Sequence, residues 1–109
     1  MDVSILPGEV LWARPAPVIG GEQAGRRPVV VVSNQLFHDA VTTLALVVPV
    51  TSVDRGWDNH VPLVGADVDG FAMTEQVRAT SRDRFDGRMG VVDGETLDAI
   101  RTWIGDYLA

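Results

Sequence analysis

The chain has 109 residues, of which 46% are hydrophobic, and this length and composition predict a single domain over residues 1–109. It contains no cysteine, which excludes disulfide bonds, thiolate metal sites and thiol catalysis and favours a reducing compartment, so a cytoplasmic location is expected. The net charge of −6 argues against a nucleic-acid partner, and the absence of lysine among the basic residues is explained more simply by compositional bias than by phosphate recognition.

Strand-like segments dominate the first half of the chain. Alternating side chains predict a strand over Glu9–Arg14, and the loop that follows, Pro15–Arg26, has the length of a functional loop. The second predicted strand is Arg27–Ser33, where four consecutive valines without polar alternation indicate a strand covered on both faces. A single helical turn is predicted over Asn34–Asp39, and β-branched residues predict a third, core strand over Thr42–Thr51.

The second half of the chain reads as short strands followed by a helix. Further strands are predicted at His60–Val64, Phe71–Met73, Gln76–Ala79 and Gly87–Val92, with a helical turn over Ser81–Phe85. Asp93 is the predicted N-cap of the final helix, whose apolar residues recur at helical spacing. They are Leu97, Ile100, Ile104, Tyr107 and Leu108, with Trp103 at the edge. The predicted fold class is mainly β, a small antiparallel barrel with a C-terminal helix.

Several classes of site are absent from the sequence. His38 and His60 are isolated, and no HExxH or DxDxDG pattern is present, so no metal site is predicted. There is no GxSxG, P-loop or dinucleotide fingerprint. No stretch approaches the ~20 apolar residues of a spanning helix, which predicts a soluble protein without membrane contact.

The most polar loop of the chain, Gly20–Pro28, runs directly into the second strand. Pro28 fixes its own φ and biases Arg27 towards an extended conformation, so Arg27 is held at the strand entrance. Glu22 offers a carboxylate for proton transfer, and Arg26 with Arg27 offers guanidiniums to a phosphate anion. The alternative is a solvated loop with an internal Glu–Arg ion pair.

Two further loops carry polar groups beside strand ends. Thr51 and Ser52 end the third strand, where their hydroxyls either bind phosphate oxygens or serve as an ordinary strand-ending cap. Trp57 with Arg55 offers a base-stacking surface, and the alternative is that Trp57 folds back onto the core.

A fourth polar stretch runs from Glu75 to Arg78 and adds a carboxylate, an amide and a guanidinium. It is predicted to be β-like, with Glu75 and Val77 on one face and Gln76 and Arg78 on the other. A supporting role behind the site is one interpretation of this stretch.

Five segments that occur in order along the chain together resemble one family. They are Gly8-Glu9-Val10, Gly21-Glu22-Gln23-Ala24-Gly25-Arg26-Arg27-Pro28-Val29, Ser33-Asn34, Val48-Pro49-Val50-Thr51-Ser52 and Glu75-Gln76-Val77-Arg78. On these segments the chain resembles MazF/PemK-type toxins over nearly its whole length. The resemblance implies an SH3-like barrel, a homodimer, and a metal-independent endoribonuclease that cuts single-stranded RNA at short sequences. It also implies a cognate antitoxin as partner and no cofactor.

The resemblance also implies roles for individual residues. In MazF-like members the Arg before the Pro and the Thr closing the third strand are catalytic, which maps onto Arg27 and Thr51. PemK-like members carry a His and an Arg where this chain has Gly21 and Met73, which argues against a His-assisted proton relay. Glu22 is the residue chosen to remove the 2′-proton. The residues predicted to bind RNA are Gln23, Arg26, Ser52, Arg55, Trp57, Glu75, Gln76 and Arg78.

Two other interpretations stay open. A CcdB-type toxin resembles this fold but poisons DNA gyrase through its C-terminal residues and cleaves nothing. That group lacks the Glu-Gln-x-Gly-x-Arg-Pro loop, so the loop favours the nuclease. An inactive member of the family, kept as a partner-binding module, is the third interpretation.

Overall fold

The computed structural model describes residues 4–15 and 25–109. Glu22 and Gln23, which were predicted to act at the site, lie outside these ranges. The strands are β1 (Glu9–Ala13), β2 (Arg27–Val31), β3 (Leu44–Thr51), β4 (His60–Pro62), β5 (Phe71–Met73), β6 (Arg78–Ser81) and β7 (Phe85–Val91). The α-helices are α1 (Gln35–Ala40) and α2 (Gly94–Leu108), and 3₁₀ helices span Thr74–Gln76 and Arg82–Arg84. No helix within the described ranges has the length and apolar character needed to cross a membrane.

The strands form one antiparallel sheet in the order β4-β5-β3-β2-β1-β7, with β6 also paired to β3. β3 pairs with β2 along one side, while its other side pairs first with β6 and then with β5. The predicted mainly antiparallel sheet with a C-terminal helix is confirmed. β3 therefore pairs with three strands, β2, β5 and β6, and brings the polar residues at their ends close to its own.

The valines of the second strand lie in two cores, one on each face of the sheet. Val29 and Val31 belong to a core that also contains Leu11 and Phe85. Val30 and Val32 alternate into the core on which α2 packs. Each of the four valines is at most 7% exposed, so the prediction of a strand covered on both faces is confirmed. The uninterrupted apolar run follows from this double burial, because neither face of β2 meets water.

The final helix begins as predicted, but its last turn leaves the core. The Asp93 carboxylate accepts hydrogen bonds from the backbone N–H and the hydroxyl of Thr96, at 2.8 and 2.6 Å, and these bonds lower the pKa of Asp93 below its usual value. Ile100 is fully buried. Tyr107 and Leu108, which the periodicity placed on the apolar face, are 44% and 81% exposed. The apolar face therefore extends past the edge of the sheet that it covers.

The prediction of one β-like stretch from Glu75 to Arg78 is wrong. Residues Thr74–Gln76 form a 3₁₀ helix, and β6 begins only at Arg78. The cause is the change of partner along β3, whose first half pairs with β6 and whose last residues, Val50 and Thr51, pair with β5. The chain must leave the sheet between these two pairings, and the 3₁₀ helix makes that step.

His38 on the first helix is a structural residue. It is 4% exposed, and its Nε2 lies 2.6 Å from the Ser33 hydroxyl, which itself accepts the Leu46 backbone N–H. Burial, together with the nearby Arg82 guanidinium, lowers the pKa of His38. A neutral ring can accept a hydrogen bond from the Ser33 hydroxyl. Ser33 therefore links His38 of α1 to Leu46 of β3.

Candidate functional site

The pairing of two strands places Arg27 beside Thr51. Val29 of β2 lies opposite Pro49 of β3 in an antiparallel register. Continuing that register by two residues places Arg27 opposite Thr51. Opposed residues of an antiparallel pair project from the same face of the sheet, so both side chains reach the same surface.

A groove of about 740 Å³ runs over this surface. It is lined by Arg27, Pro28, Pro49, Val50, Thr51, Ser52, Val53, Arg55, Val68, Asp69, Met73, Gln76 and Arg78. Arg78 enters it because β6 places this residue opposite Val47 of β3, two residues before Pro49 on the same face. The guanidiniums of Arg27, Arg55 and Arg78 give the groove a local positive charge despite the net charge of −6.

A second cavity, of about 400 Å³, shares Arg27 and Arg78 with the groove and adds Arg84 to its lining. The two cavities therefore meet at Arg27 and Arg78. A linear anion that entered the groove would find further guanidinium donors on the far side of Arg27.

The hydroxyl of Thr51 is oriented by its own loop. Its Oγ1 accepts the backbone N–H of Val53 at 3.1 Å, which leaves the hydroxyl proton available for donation. The Arg27 side chain is exposed, and no ion pair to it is found among residues 4–15 and 25–109. A phosphate held between these two residues would receive a charged donor and a neutral donor.

Arg26, predicted to bind RNA, is directed away from the groove. Its guanidinium lies 4.7 Å from the centre of the Trp12 ring, and its Nη1 lies 3.0 Å from the Asp86 carboxylate. Arg27, the first residue of β2, lines the groove while Arg26 contacts Trp12 and Asp86, so the two neighbouring side chains leave the chain in different directions. The contacts of Arg26 fasten the end of the polar loop to β1 and β7. Neither Trp12 nor Asp86 carries a sequence signal for this role.

The loop after Thr51 holds Arg55 and Trp57. Asp54 accepts the backbone N–H of Gly56 at 2.9 Å, and Gly56 has a φ of +71°, a conformation that glycine adopts at little cost. Trp57 is 52% exposed and its ring centre lies 4.8 Å from that of His60, so it is not buried in the core. Arg55 lines the groove, while Trp57 stands beside it with the Arg55 guanidinium 6.0 Å from its ring.

Within the 3₁₀ helix Thr74–Gln76, the side chains of Glu75 and Gln76 point to different surroundings. Gln76 lines the groove, whereas the Glu75 carboxylate lies 3.0 Å from Nε2 of His60. Partial burial alone would raise the pKa of Glu75, but hydrogen bonds, the largest from His60, lower it. Asp69 is a groove residue that sequence reasoning missed, because an Asp-Gly pair looks like an ordinary turn. Within residues 4–15 and 25–109 no three His, Asp or Glu side chains are grouped as a metal site requires.

Comparison with known proteins shows which sequences and structures this chain resembles. Residues 6–108 match the family model for the PemK-like, MazF-like toxin of type II toxin–antitoxin systems. Over 98 residues the chain is 36% identical to the endoribonuclease toxin MazF of Escherichia coli K12, covering 89% of this chain and 87% of MazF. It is 26% identical over 98 residues to the endoribonuclease EndoA of Bacillus subtilis, covering 85% and 84% of the two chains.

Solved structures give the same result. A crystal structure of MazE–MazF from Deinococcus radiodurans superposes with a TM-score of 0.83 at 29% identity, covering 95% of each chain. This shared fold confirms the predicted small-barrel class, and the named relatives do not favour the CcdB-type alternative. The chain belongs to the family of PemK-like, MazF-like toxins of type II toxin–antitoxin systems.

Proposed function

We propose that this chain is an endoribonuclease toxin that cuts single-stranded RNA in the groove lined by Arg27 and Thr51. The family and the endoribonuclease activity named for its relatives in E. coli and B. subtilis support the activity. The observation that carries the location is the β2–β3 register, which sets a guanidinium opposite a hydroxyl on the floor of a groove with two more guanidiniums.

The chemistry uses the RNA's own 2′-hydroxyl. Its oxygen attacks the adjacent phosphorus, a P–O2′ bond forms and the P–O5′ bond breaks, so the products are a 2′,3′-cyclic phosphate and a 5′-hydroxyl. Negative charge grows on the non-bridging oxygens as the pentavalent state forms. Arg27 neutralises this charge, and the Thr51 hydroxyl donates a hydrogen bond to one of these oxygens.

The remaining predicted residues serve proton transfer and RNA binding in this proposal. Glu22 takes the 2′-proton and later returns it to solvent, and water supplies the proton that the departing 5′-oxygen takes up. The phosphates and bases outside the cut site are held by Gln23, Ser52, Arg55, Trp57, Gln76 and Arg78. Arginine suits the phosphate contacts because its fork donates paired hydrogen bonds. The proposed substrate is mRNA, and the proposed site of cleavage is the cytoplasm.

The solved D. radiodurans relative is a MazE–MazF structure, and it supports the proposal that an antitoxin neutralises this chain. We also infer that two copies of the chain pair as a homodimer. Large apolar side chains stay outside the cores, with Leu36 77% and Leu108 81% exposed, and pairing would cover part of this surface. Sedimentation at micromolar concentration is expected to give about twice the 11.8 kDa of one chain. A stable monomer that still cleaves RNA would contradict the homodimer.

Incubation of the purified protein with a long RNA in EDTA tests the proposed reaction. Cleavage is expected to continue, because the nucleophile is the 2′-oxygen and no metal-bound water takes part. The fragments are expected to carry 2′,3′-cyclic phosphate and 5′-hydroxyl ends. Fragments with 5′-phosphate ends, or activity lost in EDTA and restored by Mg²⁺, would contradict the mechanism, and intact RNA under all conditions would contradict the nuclease.

A further inference from the structure

A buried histidine connects the loop after Thr51 to the 3₁₀ helix Thr74–Gln76. His60 is 5% exposed, and its Nε2 lies 3.0 Å from both carboxylate oxygens of Glu75. A carboxylate only accepts hydrogen bonds, so Nε2 carries the proton and donates it. The Trp57 ring lies beside the His60 imidazole, with the two ring centres 4.8 Å apart and an interplanar angle of 52°. Glu75 thus holds the ring against which Trp57 rests.

The same carboxylate is tied to the last turn of α2. The Asn59 side-chain amide donates to Oε1 of Glu75 at 3.1 Å and to the Tyr107 hydroxyl oxygen at 3.0 Å. Thr74, which is fully buried, donates its hydroxyl proton to the Asn59 carbonyl at 2.7 Å. Tyr107 must then donate to Oγ1 of Thr74, 2.6 Å away. Each donor in this series of hydrogen bonds has an acceptor, so the donor and acceptor assignments agree with one another.

These hydrogen bonds lie outside the groove, but they are made by residues next to two of its lining residues. Gln76, the residue after Glu75, lines the groove, and Arg55, two residues before Trp57, lines it as well. Neither Glu75 nor Tyr107 is a lining residue. Because one hydrogen-bonded unit holds both the 3₁₀ helix and the loop, its loss would move both parts of the rim.

We propose that Glu75 and Tyr107 are positioning residues of the RNA groove: through His60 and Asn59 they hold Trp57 and Gln76, and so couple the end of the C-terminal helix to RNA binding. Glu75 was predicted to contact RNA directly, and this inference replaces that role. It rests on the proposed function for its effect on cleavage, whereas the coupling itself is measurable without RNA.

Two nearly isosteric changes remove the polar contacts and leave the packing. Glu75→Gln exchanges one acceptor oxygen for a donor, which then faces the N–H groups of His60 or Asn59. Tyr107→Phe deletes the hydroxyl alone. Each variant is expected to raise the KM for a short RNA with one mapped cut site by roughly 5- to 30-fold, the equivalent of a weakened stacking contact, with kcat nearly unchanged.

Fluorine NMR reads the coupling in the free protein. The chain has three tryptophans, so 5-fluorotryptophan labelling gives three resonances, of which the Trp57→Phe variant identifies one. Both Glu75→Gln and Tyr107→Phe are expected to shift the Trp57 resonance. Tyr107→Phe is the decisive case, because the Tyr107 hydroxyl contacts Thr74 and Asn59 rather than Trp57 itself.

Matched controls separate coupling from general loss of structure. Glu95→Gln alters an exposed carboxylate at the other end of α2, and Asp106→Asn alters the exposed side chain directly before Tyr107. Both are expected to leave the Trp57 resonance and the KM unchanged. An unmoved Trp57 resonance in Tyr107→Phe would overturn the coupling, and a fall in kcat at constant KM would overturn the positioning role. If the unmodified protein cleaves no RNA, the proposed function fails, and the resonance alone decides the coupling.

Discussion

Replacing Arg27 by alanine is expected to lower the rate of RNA cleavage by at least about 10²-fold, the usual scale for removing one donor that stabilises transition-state charge. The loss falls on kcat more than on binding, because Arg55 and Arg78 still attract the RNA. Folding is expected to be unaffected, since Arg27 is exposed and forms no ion pair within the described ranges. Single-turnover cleavage and thermal unfolding measure the two effects separately.

Two further arginine variants make this test specific. Arg27→Lys keeps the positive charge but loses the planar fork, and an intermediate rate is expected. Arg55→Ala removes a guanidinium from the same groove on the flanking loop, so it is expected to weaken binding while kcat stays close to that of the unmodified protein. Cleavage by Arg27→Ala at the unmodified rate, or an equal loss of kcat in Arg55→Ala, would show that Arg27 is only one of several phosphate contacts.

Replacing Thr51 by valine is expected to abolish most of the activity while the fold is kept. Valine retains the β-branched shape and the strand propensity of threonine, and only the hydroxyl is lost. The Val53 N–H, which the hydroxyl oxygen accepts, lies on an exposed residue and can turn to water. Circular dichroism and thermal unfolding should therefore resemble those of the unmodified protein, with cleavage reduced.

Thr51→Ser and Ser52→Ala are the matched controls for this change. Serine at position 51 restores a hydroxyl at the same place and is expected to keep most of the activity. Ser52→Ala removes the neighbouring hydroxyl, which also lines the groove, and a smaller loss is expected. If Thr51→Val cleaves as the unmodified protein does, or if Thr51→Ser is as inactive as Thr51→Val, the hydroxyl does not act as proposed.

Local patterns in the sequence determined the secondary structure wherever burial or capping depends on near neighbours. The run of four valines, three in β2 and Val32 directly after it, places apolar side chains on both faces, so any fold that forms this strand must cover both faces, and it does. Asp93 caps α2 through a residue three positions along the chain. The placement of Arg27 at a strand entrance follows from the proline after it. The predicted roles of Glu22 and Gln23 stay predictions, since both lie outside the described residues.

Tertiary structure alone decided which polar side chains meet. Arg26 pairs with Asp86, and Glu75 with His60, across 60 and 15 residues of chain, and no local pattern records such distances. Glu75 turns away from the groove because β3 changes partner beside it, a consequence of how three strands share one neighbour. Tyr107 was expected in the apolar stripe because helical periodicity reports a face of the helix. It does not report how far the core beneath that face extends. Tyr107 lies beyond the core, where its hydroxyl forms hydrogen bonds with Thr74 and Asn59.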